Sequence, residues 1–187
     1  MDPDDIRRAY DRSAGGYDAR FAALQGPKYD AVLARVDVPP GARVADLGGG
    51  TGLLVGRLPP LARRPIVLDF SRPMLALAPA AADRVQADLR RLPLRERSID
   101  RAFVITALLL PPRARVGALL ELARVLAPGG RLALTVLADE AAGLEDDLRA
   151  CGLVPGPRFA CGQDVGVVCS TAAKDVPGRG GARAGSR

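Results

Sequence analysis

The chain has 187 residues, 48% of them hydrophobic, 26% charged and 4% aromatic. That is enough to bury one sizeable core, and it excludes a collagen, a disulfide scaffold and a wholly disordered chain. Lys and Arg number 27 against 21 Asp and Glu, a net charge of +6, and no histidine is present, which removes every mechanism that needs an imidazole. The basic excess is almost all arginine and is spread along the chain, a weak argument for a nucleic-acid surface. Cys151, Cys161 and Cys169 form no CxxC pair, so no zinc site is expected.

Residues 1–37 read as an N-terminal helical flap and hold Tyr10, Tyr17, Phe21 and Tyr29. Tyr17, Phe21 and Leu24 fall at i, i+4 and i+7, one helical face, suited either to packing on a core or to covering a pocket mouth. The opening MDPDD is acidic, unlike the basic start of a signal peptide. The longest strong apolar run, AFVITALLL at 102–110, has nine residues. That is short of the ~20 needed to span a bilayer, so a cytoplasmic location is expected.

Residues 38–174 then alternate strand and helix. Strands are expected at 43–47, 65–69, 84–88, 99–106 and 131–137. Their near-continuous apolar character suits parallel strands covered on both faces. Ser71 is a plausible N-cap with Pro73 in the first turn of a helix. Over 113–127, Val116, Leu119, Leu120, Ala123 and Leu126 form an amphipathic stripe, stopped by Pro128-Gly129-Gly130. A helix is read at 140–152, closed by Gly152, and two runs around Gly162-Gln163-Asp164 read as an antiparallel pair. Together these predict a doubly wound α/β fold, a mostly parallel seven-stranded sheet with a C-terminal antiparallel hairpin. Residues 175–187, DVPGRGGARAGSR, show no periodicity and read as a disordered tail.

The informative segment is VADLGGGTG at 44–52. An apolar strand runs into alternating Gly48, Gly50 and Gly52, residues that allow a tight turn and leave no Cβ between main chain and ligand. A helix expected to begin near Gly52 would add free N–H groups. The spacing is not the GxGxxG of a dinucleotide site, because Leu53 stands where the third glycine belongs. No GxxxxGK[ST] phosphate loop is present either. Asp46 stands just ahead of the glycines, where its charge suits a cationic ligand group rather than a pyrophosphate. Asp69 ends the second strand, where a carboxylate can accept two hydrogen bonds from vicinal ribose hydroxyls. Phe70 follows and could lie against a base; Asp88, followed by Leu89, ends the third run and could accept from an exocyclic amino group. Three acids at successive strand ends mark the edge where open α/β sheets bind ligands.

With these motifs in order, the chain resembles the class I S-adenosylmethionine-dependent methyltransferases. VADLGGGTG resembles the first motif and VLDFSRPML (67–75) the second. ADLRRLPLRERSIDRAFV (87–104) resembles the adenine-site loop and fourth strand, and ELARVLAPGGRLALTV (121–136) the helix, turn and fifth strand. AYDRSAGGYDARF (9–21) is similar to the lead helix of the small-molecule branch that includes quinone-biosynthesis methyltransferases. The resemblance implies S-adenosylmethionine as cofactor. Asp46, Gly48 and Gly50 would hold its methionine part, Asp69 the ribose, and Phe70, Met74 and Leu89 the adenine, with Asp88 on the amino group. Thr106 would lie near the methyl group, and Tyr17 would close the site. Many relatives carry a histidine just beyond the fourth strand; here TALLLPPR lacks it, and Leu108, Leu109 and Leu110 read as core or as an apolar acceptor pocket. No catalytic residue is assigned, and no metal is expected.

The reading is methyl transfer to a small-molecule acceptor. One alternative is a nucleic-acid methyltransferase. Pro111-Pro112 is flanked by Leu110 and Arg113, not the residues a base-N6/N4 enzyme needs, and no cysteine follows a proline, as cytosine-C5 chemistry would require. Another is a cofactor-binding partner subunit without activity of its own. The short 138–143 segment leaves little room for a lid, so a partner or a second copy could complete the acceptor site.

Overall fold

The computed structural model describes residues 3–60, 63–108 and 112–171. The expected tail at 175–187, and Leu109, Leu110 and Pro111, lie outside the described residues.

One seven-stranded sheet carries the fold. Its strands are β1 (Val44–Leu47), β2 (Ile66–Asp69), β3 (Asp83–Gln86), β4 (Ile99–Ile105), β5 (Leu126–Leu137), β6 (Leu153–Cys161) and β7 (Asp164–Thr171). Their order is β3-β2-β1-β4-β5-β7-β6. β1 pairs in parallel with β2 and β4, as do β2 with β3 and β4 with β5. β7 runs antiparallel to β5 and β6, the expected terminal hairpin. The order reverses between β1 and β4, and such a switch point is where open α/β sheets open a crevice at their C-terminal edge.

Side chains alternate across the sheet, as the pleat requires. Ala45, Leu47, Ala102, Val104, Leu132 and Leu134 enter one core cluster. Helices α4 (Pro112–Val125) and α5 (Leu144–Ala150) pack there through Ala118, Leu119, Leu122, Leu144 and Leu148. Val44, Phe103, Ile105 and Ala133 face the other way, against Tyr29, Val32 and Val36. Tyr29 and Val32 belong to α2 (Tyr17–Leu33), which follows α1 (Pro3–Ser13) and a short 3-10 turn. Both faces are therefore covered, which is why the central strands are nearly continuous apolar runs. β3, at the sheet edge, is mostly exposed, and its weaker apolar run fits that place.

Several element boundaries depart from the sequence expectation. No α-helix begins near Gly52; a turn leads into a 3-10 segment at Val55–Arg57. Gly50 and Gly52 both take positive φ, at 56° and 74°, and Pro59-Pro60 follow closely, so too few right-handed residues remain to propagate a helix. The buried stripe of α4 is one residue earlier than expected: Arg115, Ala118, Leu119, Leu122 and Val125 are buried, while Leu120 is 52% exposed. The buried Arg115 guanidinium is satisfied by Asp147 and by the carbonyls of Glu140 and Ala142, which makes its burial tolerable. β5 begins at Leu126, so Pro128-Gly129-Gly130 lies inside an irregular strand start. The helix expected at 140–152 is confined to α5, with Gly152 at φ 80° just beyond it. Ser71 caps α3 (Arg72–Leu77) as expected, its hydroxyl accepting from the Met74 N–H.

Candidate functional site

A pocket opens at the C-terminal ends of the four adjacent parallel strands β3, β2, β1 and β4. Its walls come from the ends of β1 (Gly48–Thr51), β2 (Leu68–Phe70), β3 (Ala87–Arg90) and β4 (Ile105–Ala107). Tyr10, Tyr17, Gln25 and Tyr29 from α1 and α2 cover it, and Met74 reaches in from α3. Nine of the ten residues singled out from sequence line this one pocket: Tyr17, Gly48, Gly50, Asp69, Phe70, Met74, Asp88, Leu89 and Thr106.

Asp46 is the tenth, and it lies beneath the wall rather than in it. It is 3% exposed, and a Cβ on Gly49 would stand 2.5 Å from its carboxylate. Gly49 is thus a residue that the sequence reading passed over; the unbroken Gly48-Gly49-Gly50 run was its signal. Gly48, at φ 75°, is constrained from the other side, since a Cβ there would sit 2.3 Å from that of Ala107. The loop is pinned to its neighbour strand: Gly48 and Gly49 donate to the Leu68 carbonyl at 2.7 and 3.1 Å.

Asp69 accepts the Gly50 N–H at 2.9 Å on one oxygen and the Ser71 N–H at 2.8 Å on the other. An ionised carboxylate has about four acceptor sites, so both oxygens retain capacity for a ligand. Burial raises the Asp69 pKa, against the backbone hydrogen bonds that lower it. Asp46 is pushed up to about 7, by burial first and by the Asp69 charge second. Among the described residues neither acid forms an ion pair with Lys or Arg; Asp69 lines the pocket, Asp46 lies buried beneath it, and Arg90 in the pocket wall is engaged by Asp88. Asp88 lies two residues beyond the end of β3, not at its last position, and is gripped by Arg90 at 2.6 Å. That contact lowers its pKa and keeps it an acceptor.

The aromatic cover is a connected set. Tyr10 stands 5.9 Å from Phe70 and 6.2 Å from Tyr17, and Tyr17 stands 4.8 Å from Phe21, ring centre to ring centre. Two buried-side hydrogen bonds tie the cover to the loops below: Asp11 accepts from the Ser71 hydroxyl at 2.6 Å, and Asp18 from that of Thr51 at 2.5 Å. Burial pushes the Tyr10 hydroxyl up to about 12 and raises Tyr17 and Tyr29 as well, so none of the three is tuned to act as a base near neutral pH.

Thr106, at the tip of β4, adopts φ 52°, strained for a β-branched residue. Its N–H donates to the Thr135 hydroxyl at 2.9 Å. Its own hydroxyl donates to Asp164 at 2.5 Å and accepts from Lys28 at 2.9 Å. Lys28 also pairs with Asp164 at 2.9 Å. This network joins α2, β4, β5 and β7 beside the pocket, and sequence patterning carried no sign of it, because its members are 136 residues apart at the extreme.

A second cleft of about 690 Å³ adjoins the first. Tyr10, Tyr17, Gln25 and Thr106 line both. Leu108 is buried in the core, so it is not a wall of either; Leu109 and Leu110 lie outside the described residues. Among the described residues no group of three or more Cys, Asp or Glu is placed to hold a metal. No described helix is long and apolar enough to cross a membrane.

Residues 45–134 match the family model described as a methyltransferase domain. The chain is 38% identical over 140 residues to a malonyl-[acyl-carrier protein] O-methyltransferase of Pectobacterium atrosepticum, covering 72% of this chain and 53% of that one. It is 34% identical over 140 residues to a demethylmenaquinone methyltransferase of Corynebacterium glutamicum, covering 70% and 59%. The chain therefore spans a little over half the length of these curated relatives. Among solved structures, the methyltransferase in complex with the Haloferax volcanii Trm112 activator superposes with a TM-score of 0.78 at 19% identity, covering 87% of this chain and 97% of that one.

Proposed function

The chain belongs to the class I S-adenosylmethionine-dependent methyltransferase family, and from that premise we propose that it transfers a methyl group from S-adenosylmethionine to a small-molecule acceptor. The observation that carries this reading is the convergence of four consecutive strand ends on one pocket beside two buried, cation-free carboxylates.

The donor set fits the cofactor. Asp69 keeps acceptor sites free for ribose hydroxyls. Asp46, under Gly49, and the bare backbone of the glycine loop suit the amino-acid end, whose positive charge relieves the repulsion between the two acids. Phe70, Met74 and Leu89 offer an apolar slot for adenine, with Asp88 at its rim. When bound, S-adenosylmethionine supplies a methyl group already activated by its sulfonium.

The chain's own task is then alignment and exclusion of water, the larger part of catalysis in an in-line displacement. Tyr10, Tyr17 and Phe70 close over the mouth, the role we assign to the N-terminal helices of residues 1–37. Thr106 stands where the cofactor pocket meets the second cleft. Calorimetry tests the reading: the chain should bind adenosylhomocysteine and be inert to NAD, and mass spectrometry of ligand released from purified protein should find the nucleoside. Binding of NAD without adenosylhomocysteine overturns it.

A second reading is a subunit that needs a partner, favoured by the structural likeness to a methyltransferase solved with its activator. Turnover that appears only when a second protein is added would establish it.

A further inference from the structure

Gln25 is 9% exposed, lines both cavities, and its side-chain oxygen has no hydrogen-bond partner. An orphaned buried amide oxygen costs stability unless something arrives to satisfy it. Tyr17, from the first turn of the same helix, lines both cavities beside it. Three residues along α2, on the same helical face, is Lys28, which also lines the second cleft. An ammonium has three donors. The bonds to Thr106 and Asp164 occupy two, and Asp164 neutralises its charge.

The pair has a definite chemistry. Gln25 presents an acceptor, Lys28 presents a donor, and the local charge is balanced. A carboxylate would meet the Gln25 oxygen with like polarity and find no net positive charge. An ammonium would meet the Lys28 cation. A neutral hydroxyl satisfies both, donating to Gln25 and accepting from Lys28. Around this polar end the cleft is lined by Ala9, Phe21, Ala23, Leu24 and Leu137, room for an apolar body.

We propose that Gln25 and Lys28 form the acceptor subsite, holding the hydroxyl of a neutral, largely apolar substrate at the junction with the cofactor pocket. This rests on the methyltransferase reading and names its substrate class. The subsite is built from α2 alone, and Thr106 joins it to the end of β4.

The test uses the full chain saturated with adenosylhomocysteine, titrated with 4-hexylphenol, hexylbenzene and 4-hexylbenzoate by calorimetry. The phenol should bind at least tenfold tighter than the other two. Gln25→Leu should bring the phenol down to the hexylbenzene level while adenosylhomocysteine still binds, and Gln25→Glu, which keeps an acceptor oxygen, should restore part of the preference. Equal binding of the phenol and the hydrocarbon, or tighter binding of the benzoate, overturns the proposal. So does loss of adenosylhomocysteine binding in Gln25→Leu with fold intact by circular dichroism: Gln25 then serves the cofactor, and the methyltransferase reading survives. Failure of the unmutated chain to bind adenosylhomocysteine sinks that reading and this one together.

Discussion

Gly50 donates its backbone N–H to the Asp69 carboxylate at 2.9 Å, so the loop after β1 and the tip of β2 are one structural unit. Asp69 thus has two tasks, shaping the loop and meeting the ligand. Asp69→Ala should weaken adenosylhomocysteine binding by about a hundredfold, the scale expected when a charged hydrogen-bonding partner is lost. Asp69→Asn keeps one acceptor oxygen and should lose about tenfold. Equal losses by calorimetry would show that the loop tie alone matters.

Asp46 titrates where few carboxylates do, at about 7, because burial and the Asp69 charge both disfavour its anion. The folded pKa lies above the unfolded one, so the unfolded chain ionises first. The stabilisation it confers is complete at low pH and is lost as pH rises through about 7. Asp46→Asn should therefore melt higher than the unmutated chain at pH 8, by an amount reflecting at most roughly 3–4 kcal/mol, and equally at pH 3. Ligand binding runs the other way. The anion is the form that receives a cationic group, so adenosylhomocysteine affinity should rise from pH 6 to pH 8, and the rise should flatten in the variant.

Gly49 and Gly50 are adjacent yet differ in what they can bear. A Cβ on Gly49 meets the Asp46 carboxylate, whereas one on Gly50 finds only the Met74 methyl, at 3.9 Å. Gly49→Ala should displace Asp46 and abolish measurable cofactor binding. Gly50→Ala pays left-handed strain of roughly 1 kcal/mol and should cost a few-fold to tenfold in affinity. Similar losses in both, measured side by side, would contradict the packing argument.

The Lys28–Asp164 pair is buried, with side chains 10% and 0% exposed. Removing one partner strands the other. Lys28→Met should destabilise by about 3–5 kcal/mol, and Lys28→Met with Asp164→Leu should cost less than either alone. A denaturant double-mutant cycle reads this directly; additive losses would mean that the two charges do not couple.

All three thiols are buried, and burial raises each pKa, Cys169 up to about 12. Native protein at pH 8 should react with Ellman's reagent far more slowly than protein in guanidinium, which should release all three. Rapid native labelling would place a thiol outside the core.

The order of the strands along the chain, the sheet class and nine of the ten residues singled out for the pocket were legible in the sequence because they depend on local facts. Apolar runs must be buried on two faces, and a strand ending in glycines turns tightly at the sheet edge. The missing helix after Gly52 was not legible, because only folded φ values show the turn as left-handed at two glycines. The α4 stripe was misplaced by one residue because Arg115 is buried through partners far along the chain, which no periodicity scores. Likewise the network of Lys28, Thr106, Thr135 and Asp164 exists only once α2 and the terminal hairpin meet at the end of β4. Local pattern sets which strand ends carry acids; long-range closure decides which polar groups are paired beside the pocket and leaves the Gln25 side-chain oxygen without a partner.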